Sequence, residues 1–337
     1  MSPHRFLLLG VLLTLGIGWG STQSLGKIAV STGHGFFGLI FWQLVIGALV
    51  LGAVQAVRRQ GVPLTRRTLA FGALIALIGT LIPNSAFYMS VAHLPAGIMS
   101  ILISTVPILA FPLALLLGME RFSALRLAGL ACGLTGVVLI ALPQAGLPAG
   151  TQAGWVLFAM IGPLFYAIEG NVVARWGTAG LDPVQAMLAA SVIGAVMVLP
   201  LTLASGQWIN PAQSWGAPEQ ALILSSVIHA FMYAGYVWLA RTAGAVFATQ
   251  TSYVVTVAGV GWAMLLLGER FSLLSWGAGA VMLLGLALVQ PRPGHDPATG
   301  RQPGRARLAL PAPPTPRGRP TVFSRSCGAC ALRKASG

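Results

Sequence analysis

Residues able to do chemistry are scarce in this chain, and most sit where chemistry is costly. Of six Asp and Glu in 337 residues, only Glu169 falls in the interior of a long apolar run. Asn171 follows it, and Arg175 lies about a turn and a half further along a helix. A carboxyl group in such a run is expensive to keep and marks a function by default, as a proton-coupling group or the partner of a cation. The structural alternative is a pair with Arg175 near the helix end. His229 sits midway along another apolar run, where an imidazole can titrate, orient a solute or simply bond a neighbouring carbonyl. Asn84 follows Pro83 in a third run, and a proline inside a helix frees carbonyls beside which polar side chains face a cavity. Tyr88 and Tyr236 occupy matching places in two parts of the chain, where they either flank a path or pack helices. Gln250 and Tyr253, with Thr249 and Ser252, make one run unusually polar, which predicts that it faces a wetted interior. Trp19, near the end of the first run, either stacks on a solute or anchors in the headgroup layer. Lys27 and Arg175 fall at roughly corresponding points. Each is half of a gate, a magnet for substrate charge, or a side chain snorkelling to the headgroups.

Other chemistries are discounted. Gly20–Ile28 reads like a phosphate loop, but it has one residue too many between its glycines and Ile where a hydroxyl would hold magnesium. Cys327 and Cys330 form a lone C-x-x-C with no second pair, and Cys132 reads as a small buried hydrophobe. No metalloprotease motif, no paired carboxylates and no Ser-His-Asp set in register occur. No cofactor, no metal and no enzymatic activity are expected.

The elements that must position these residues follow from composition. The chain is 56% hydrophobic and 8% charged, with a mean hydropathy of +0.81. Soluble domains carry about 25% charged residues, so this chain belongs in a lipid bilayer. A spanning helix needs about 20 apolar residues, and on that rule ten are predicted: 5–25, 36–57, 68–91, 95–117, 124–142, 152–175, 183–204, 218–240, 244–267 and 273–290. The net charge of +14 does not indicate nucleic acid. Nine of the 20 basic residues follow Pro291, and most others fall in short gaps on one side of the predicted spans. With a cytoplasmic N-terminus, only Lys27 and Arg270 of the eleven earlier ones lie outside, so both termini are expected in the cytoplasm. Residues 292–337 form a basic, Pro- and Arg-rich tail expected to be disordered.

The chain also contains one stretch twice. Leu115–Ser123 reads LLLGMERFS and Leu265–Ser272 reads LLLGERFS, about 150 residues apart, each between two apolar runs. Two halves of five helices, 1–143 and 152–291, follow. Because five is odd, the second half must cross the membrane upside down. The predicted fold is an all-α polytopic membrane protein of ten transmembrane helices in two inverted five-helix repeats. Small residues at four-residue spacing, such as Gly129 and Gly133 or Gly259 and Ala263, predict close helix contacts.

These residues resemble the drug/metabolite transporter superfamily, in its ten-helix EamA-type branch. The likeness runs over Trp19-Gly20 with Lys27, Pro83 with Tyr88, Pro95-Ala96-Gly97, Ser104 with Pro107, Gly118-Met119-Glu120-Arg121, Ser252-Tyr253 and Gly268-Glu269-Arg270. It departs at Phe41-Trp42-Gln43, where such proteins often place an arginine, and at the inserted Met119. The resemblance implies a secondary active transporter of a small metabolite or drug-like solute, working by alternating access, with export the expected direction. Its setting would be the inner (plasma) membrane. The alternatives are a polytopic enzyme acting on lipid, or a channel. The expected partners are a small-molecule substrate, the bilayer and a coupled proton, with no nucleic acid; the glycine-rich fifth helix offers a face for a homodimer. The topology is testable with reporter fusions: a fusion at Gly61 should report the cytoplasm and one at Gly146 the exterior, and the reverse pattern would invert the assignment.

Overall fold

The structure is a computed structural model that describes residues 3–142, 153–243, 248 and 250–289. Among them are ten helices: α1 Pro3–Ala29, α2 Phe36–Val57, α3 Arg66–His93, α4 Ala96–Leu116, α5 Ala124–Ala141, α6 Gly154–Trp176, α7 Pro183–Ala204, α8 Ala217–Ala243, α9 Thr251–Leu267 and α10 Leu273–Val289. The expectation of a disordered tail, and the Cys327–Cys330 pair, lie outside the described residues, as does Thr249.

Helix ends are set locally. Thr65 Oγ1 accepts from the Thr68 amide at 3.1 Å, and Ser272 Oγ from the Ser275 amide at 3.2 Å. Asp182 and Gln185 form a reciprocal capping box ahead of α7, with Pro183 in the first turn. The doubled LLLG motif has a conformational reason. Gly118 and Gly268 close α4 and α9 with φ of 67° and 65°, a left-handed turn that a residue with a Cβ rarely adopts. Gly118 therefore belongs to a corner.

Three helices are broken, each at a proline. Pro83 lacks the N–H that would bond the Gly79 carbonyl. There α3 widens into a single π turn, Ala76–Leu81, in which the Ile82 amide reaches back to Leu77 O. In α4 the chain stops at Ile103 and restarts at Val106, just before Pro107; Ser104 and Thr105 hydroxyls donate to the Ile101 and Leu102 carbonyls at 2.7 and 2.6 Å. In α6 the break falls after Ala159, four residues before Pro163.

The packing has the symmetry that parity predicts. Two pairs join each helix to its counterpart in the other half: α2 with α7 and α5 with α10. Along α5, Gly129, Gly133 and Gly136 face Leu288–Val289, Gly285 and Met282 of α10, so residue numbers rise on one helix as they fall on the other. Along α2, Phe37 O accepts from Thr202 Oγ1 at 3.1 Å, while Gly47 faces Ser191. Counterpart helices thus run antiparallel, and the two halves are inverted copies. Exchanging halves also turns the α1–α9, α1–α8 and α3–α7 contacts into α6–α4, α6–α3 and α8–α2, all of which are present.

These seams put backbone on backbone. The α5 glycines are occupied against α10 and, at Gly133, against Ile108 of α4, so the glycine face expected to serve a homodimer is used inside the monomer. What remains outward is apolar: Leu49, Leu116, Leu157, Val196 and Leu265 are all exposed, as a lipid-facing surface requires. A Cβ added at Gly20 would lie 2.7 Å from the Gly259 amide nitrogen and 3.0 Å from Val255 O, atoms that no rotamer change can move. Gly20→Ala should therefore cost about 1–3 kcal/mol by forcing α1 off α9, seen as a lowered unfolding midpoint in detergent. Gly261→Ala, which meets nothing within 4 Å, should leave the midpoint unchanged or raise it; equal behaviour of the two would discredit the seam.

Candidate functional site

The three proline breaks converge. Pro83 of α3, Ser104 of α4 and Pro163 of α6 line one cavity of about 310 Å³, closed by α1 through Trp19 and Gln23 and by α8 through His229. The breaks explain why polar side chains gather here, since a helix that gives up a backbone bond inside a bilayer must find replacement partners.

The polar lining is a connected network. Gln43 Oε1 of α2 accepts from Tyr88 OH at 2.9 Å and from Asn84 Nδ2 at 3.2 Å. Asn84 Oδ1 in turn accepts from Tyr166 OH of α6 at 2.8 Å. Four side chains on three helices, from both halves, thereby form one node. On the far wall the Trp19 indole N–H donates to His229 Nδ1 at 3.3 Å, which leaves Nε2 to carry the proton when the ring is neutral. Tyr236 packs its ring on Trp19 with centroids 5.5 Å apart and supports that wall without lining the cavity.

Other sequence-predicted residues sit elsewhere. Asn171 is buried and ties α6 to α4, donating to Ala110 O at 3.1 Å and Ala167 O at 2.8 Å. Tyr253 packs with Phe111 and Leu286. Gln250 is half-buried at the start of α9, where Ser252 and Val255 supply the lining. Arg175 is exposed at the end of α6, its guanidinium 5.9 Å from the Trp176 ring centre, and it makes no ion pair with Glu169. Glu169 stands one turn beyond Tyr166, beside the cavity and not in its wall.

Lys27 does not reach the cavity. Its ammonium donates to Leu94 O at 2.8 Å and Ala92 O at 3.5 Å, at the end of α3. Across the same corner, Glu269 accepts from the Ala96 and Gly97 amides, at 2.7 and 3.0 Å, at the start of α4. A cation on the carbonyl end of one helix and an anion on the amide end of the next each complement a helix dipole. The Pro95 corner is thus clamped from both sides, by Lys27 of the first half and Glu269 of the second. The counterpart carboxylate, Glu120, is set one residue further from its glycine by Met119 and instead pairs with Arg126 at 2.8 Å.

Sequence reasoning missed Gln43 and Tyr166. Gln43 had a signal: a polar side chain in the middle of an otherwise apolar run, at the very position where the resemblance fails. Tyr166 had none, because nothing local distinguishes it from Phe165.

Comparison with known proteins agrees with this architecture. The model of the EamA-like transporter family matches twice, over residues 7–142 and 153–290. The chain belongs to the EamA-like transporter family. This EamA-family chain is therefore a membrane transporter and not an enzyme. It is 27% identical over 290 residues to the uncharacterized inner membrane transporter YedA of Escherichia coli K12, covering 84% of this chain and 90% of that one. The YedA of Escherichia coli O157:H7 matches to the same extent. A solved crystal structure aligns over 82% of this chain and 95% of its own, with a TM-score of 0.56 and 17% identity, a likeness of fold.

The corner clamp can be weighed directly. Glu269→Ala leaves two amides of buried residues without an acceptor and should cost about 1–3 kcal/mol. Glu120→Ala removes a loop ion pair worth about 1 kcal/mol or less. Unfolding midpoints of the two variants in the same detergent should differ in that order, and the opposite order would show that the corner is held by something else.

Proposed function

We propose that the chain is a secondary active exporter that moves a small metabolite or drug-like solute by alternating access, drawing on the proton gradient. The observation that carries this reading is the cavity of about 310 Å³ at the junction of the two inverted halves, where the helices are broken. Inverted halves have two equivalent ways to pack, and exchanging them opens a shared site to each side in turn. Both halves contribute to the node: Gln43, Asn84 and Tyr88 from the first, Tyr166 from the second. The solute is held by Trp19, His229 and this node, a lining of rings and neutral hydrogen-bonding groups. The α2–α7 and α5–α10 seams act as the frame, and the broken helices α3, α4 and α6 as the moving parts.

We place both termini in the cytoplasm, following the basic residues, and the chain in an inner membrane, following its likeness to YedA. Lys27 and Glu269 then clamp the corner on the external face.

The test is transport by purified protein in liposomes, with and without a pH difference, over a panel of amino acids, nucleosides and cationic drugs. At least one solute should move faster with the gradient. Gln43→Leu, which removes the acceptor of two hydrogen bonds, should cut that flux about tenfold or more per folded protein reconstituted. A protein that moves nothing but modifies lipid would overturn the reading.

A further inference from the structure

The solute cavity leaves one ionisable group inside the spans unexplained, the half-buried Glu169. Glu169 is the single carboxylate in the interior of the described spans, and it makes no hydrogen bond or ion pair among the described residues. Its carboxylate lies on bare backbone. A Cβ built at Gly79 would fall 2.5, 2.6 and 2.8 Å from its Oε1, Cδ and Oε2. Gly79 belongs to the π turn of α3 and is the residue whose carbonyl Pro83 deprives of its regular donor. Beside Gly79 is a second cavity of about 40 Å³, lined among others by Thr80, Ser191, Ser226 and Tyr233. Gln43, Asn84, Tyr166 and His229 line it too, and all four also line the solute cavity. A space of that size, with hydroxyl and amide groups in its wall, can hold water.

We propose that Glu169, seated on the π turn at Gly79, is the binding site of the coupled proton, separate from the solute site and joined to it through the second cavity. This rests on the transport reading above. A lone carboxylate in hydrocarbon must hold a proton or a cation. Among the described residues no positive side chain supplies the cation. On α3, Arg66 and Arg67 are exposed at the helix start, His93 stacks on Trp155, and Tyr88 is bonded to Gln43. Helix α4 has no ionisable residue; on α5, Arg126 is paired with Glu120 and Cys132 lies against Gly285. Arg175, on α6 itself, turns to Trp176. Among the described residues, the Tyr166 and Tyr233 hydroxyls lie within electrostatic reach of Glu169. Tyr166 is also the link to the solute site, because the same hydroxyl donates to Asn84. One proton binds per carboxylate, giving the neutral acid, and leaves on the opposite side. Ionisation places a full negative charge one turn from the hydroxyl that holds the α3–α6 contact, which couples the proton to the arrangement of the halves.

Infrared difference spectra of the purified protein, with no solute present, should show a protonated carboxyl C=O band that titrates and is missing in Glu169→Gln. In liposomes, Glu169→Gln should lose accumulation driven by a pH difference about tenfold or more. It should keep exchange, at equal pH, of the panel member that the wild type moves. Gly79→Ala, which displaces the carboxylate without removing it, should shift the titration of the band. A wild-type band that does not titrate, or one that survives in Glu169→Gln, overturns the assignment. So does accumulation that follows a sodium gradient and ignores pH. A wild type with the band but no solute movement defeats the transport reading instead.

Discussion

The structure depends on one constraint: a backbone group inside a bilayer has no water to turn to. Every proline within a span therefore creates a debt that a neighbour must settle. At the break before Pro107 the Ser104 and Thr105 hydroxyls turn inward on their own helix and bond the Ile101 and Leu102 carbonyls, three residues back. Pro83 is handled differently, by widening α3 into a π turn. The consequence is spatial. Helices relieved in this way no longer pack as smooth cylinders, and three such breaks brought together leave a cavity with polar groups in a largely apolar wall.

The rest of the bundle holds those breaks in place, and it does so by close approach. Glycines let α1 meet α9 and α5 meet α10 at backbone distance, the geometry that replaces the hydrophobic effect when lipid is the solvent. Because α5–α10 and α2–α7 each join a helix to its own inverted counterpart, the frame is common to both halves. The lining is not symmetric in detail. The first half has Pro83 and Pro107 in α3 and α4, whereas α8 has no proline within its helix interior and α9 none at all. The corner clamp is likewise one-sided, with Glu269 on helix amides and Glu120 on Arg126. The two inverted halves thus share a frame but differ in local chemistry.

Length, hydropathy and repetition were enough to read ten helices, their count per half and hence the inversion, because those depend on how much chain is apolar and on arithmetic. The glycine after LLLG was also legible, since a left-handed corner demands it locally. The site was legible only in part. Asn84, Trp19 and His229 stood out as polar or amphipathic groups in apolar runs, and they do meet at the cavity. Lys27 stood out equally and turned out to bond the carbonyls at the end of α3. Asn171 stood out and serves to tie two helices.

The reason lies in how membrane helices are coded. A soluble helix shows its inner face by amphipathic periodicity, but a helix apolar all round, such as α2, presents no such stripe. The sequence alone therefore determined which segments cross the membrane, how the halves relate, and which residues were too polar to face lipid. Only tertiary structure decided which way each helix is turned, and so that Gln43, Asn84, Tyr88 and Tyr166 share one node while Glu169 rests on the bare backbone of Gly79. Those partners lie on different helices, from 41 to 90 residues apart, and only the packing of the seams brings them within bonding distance.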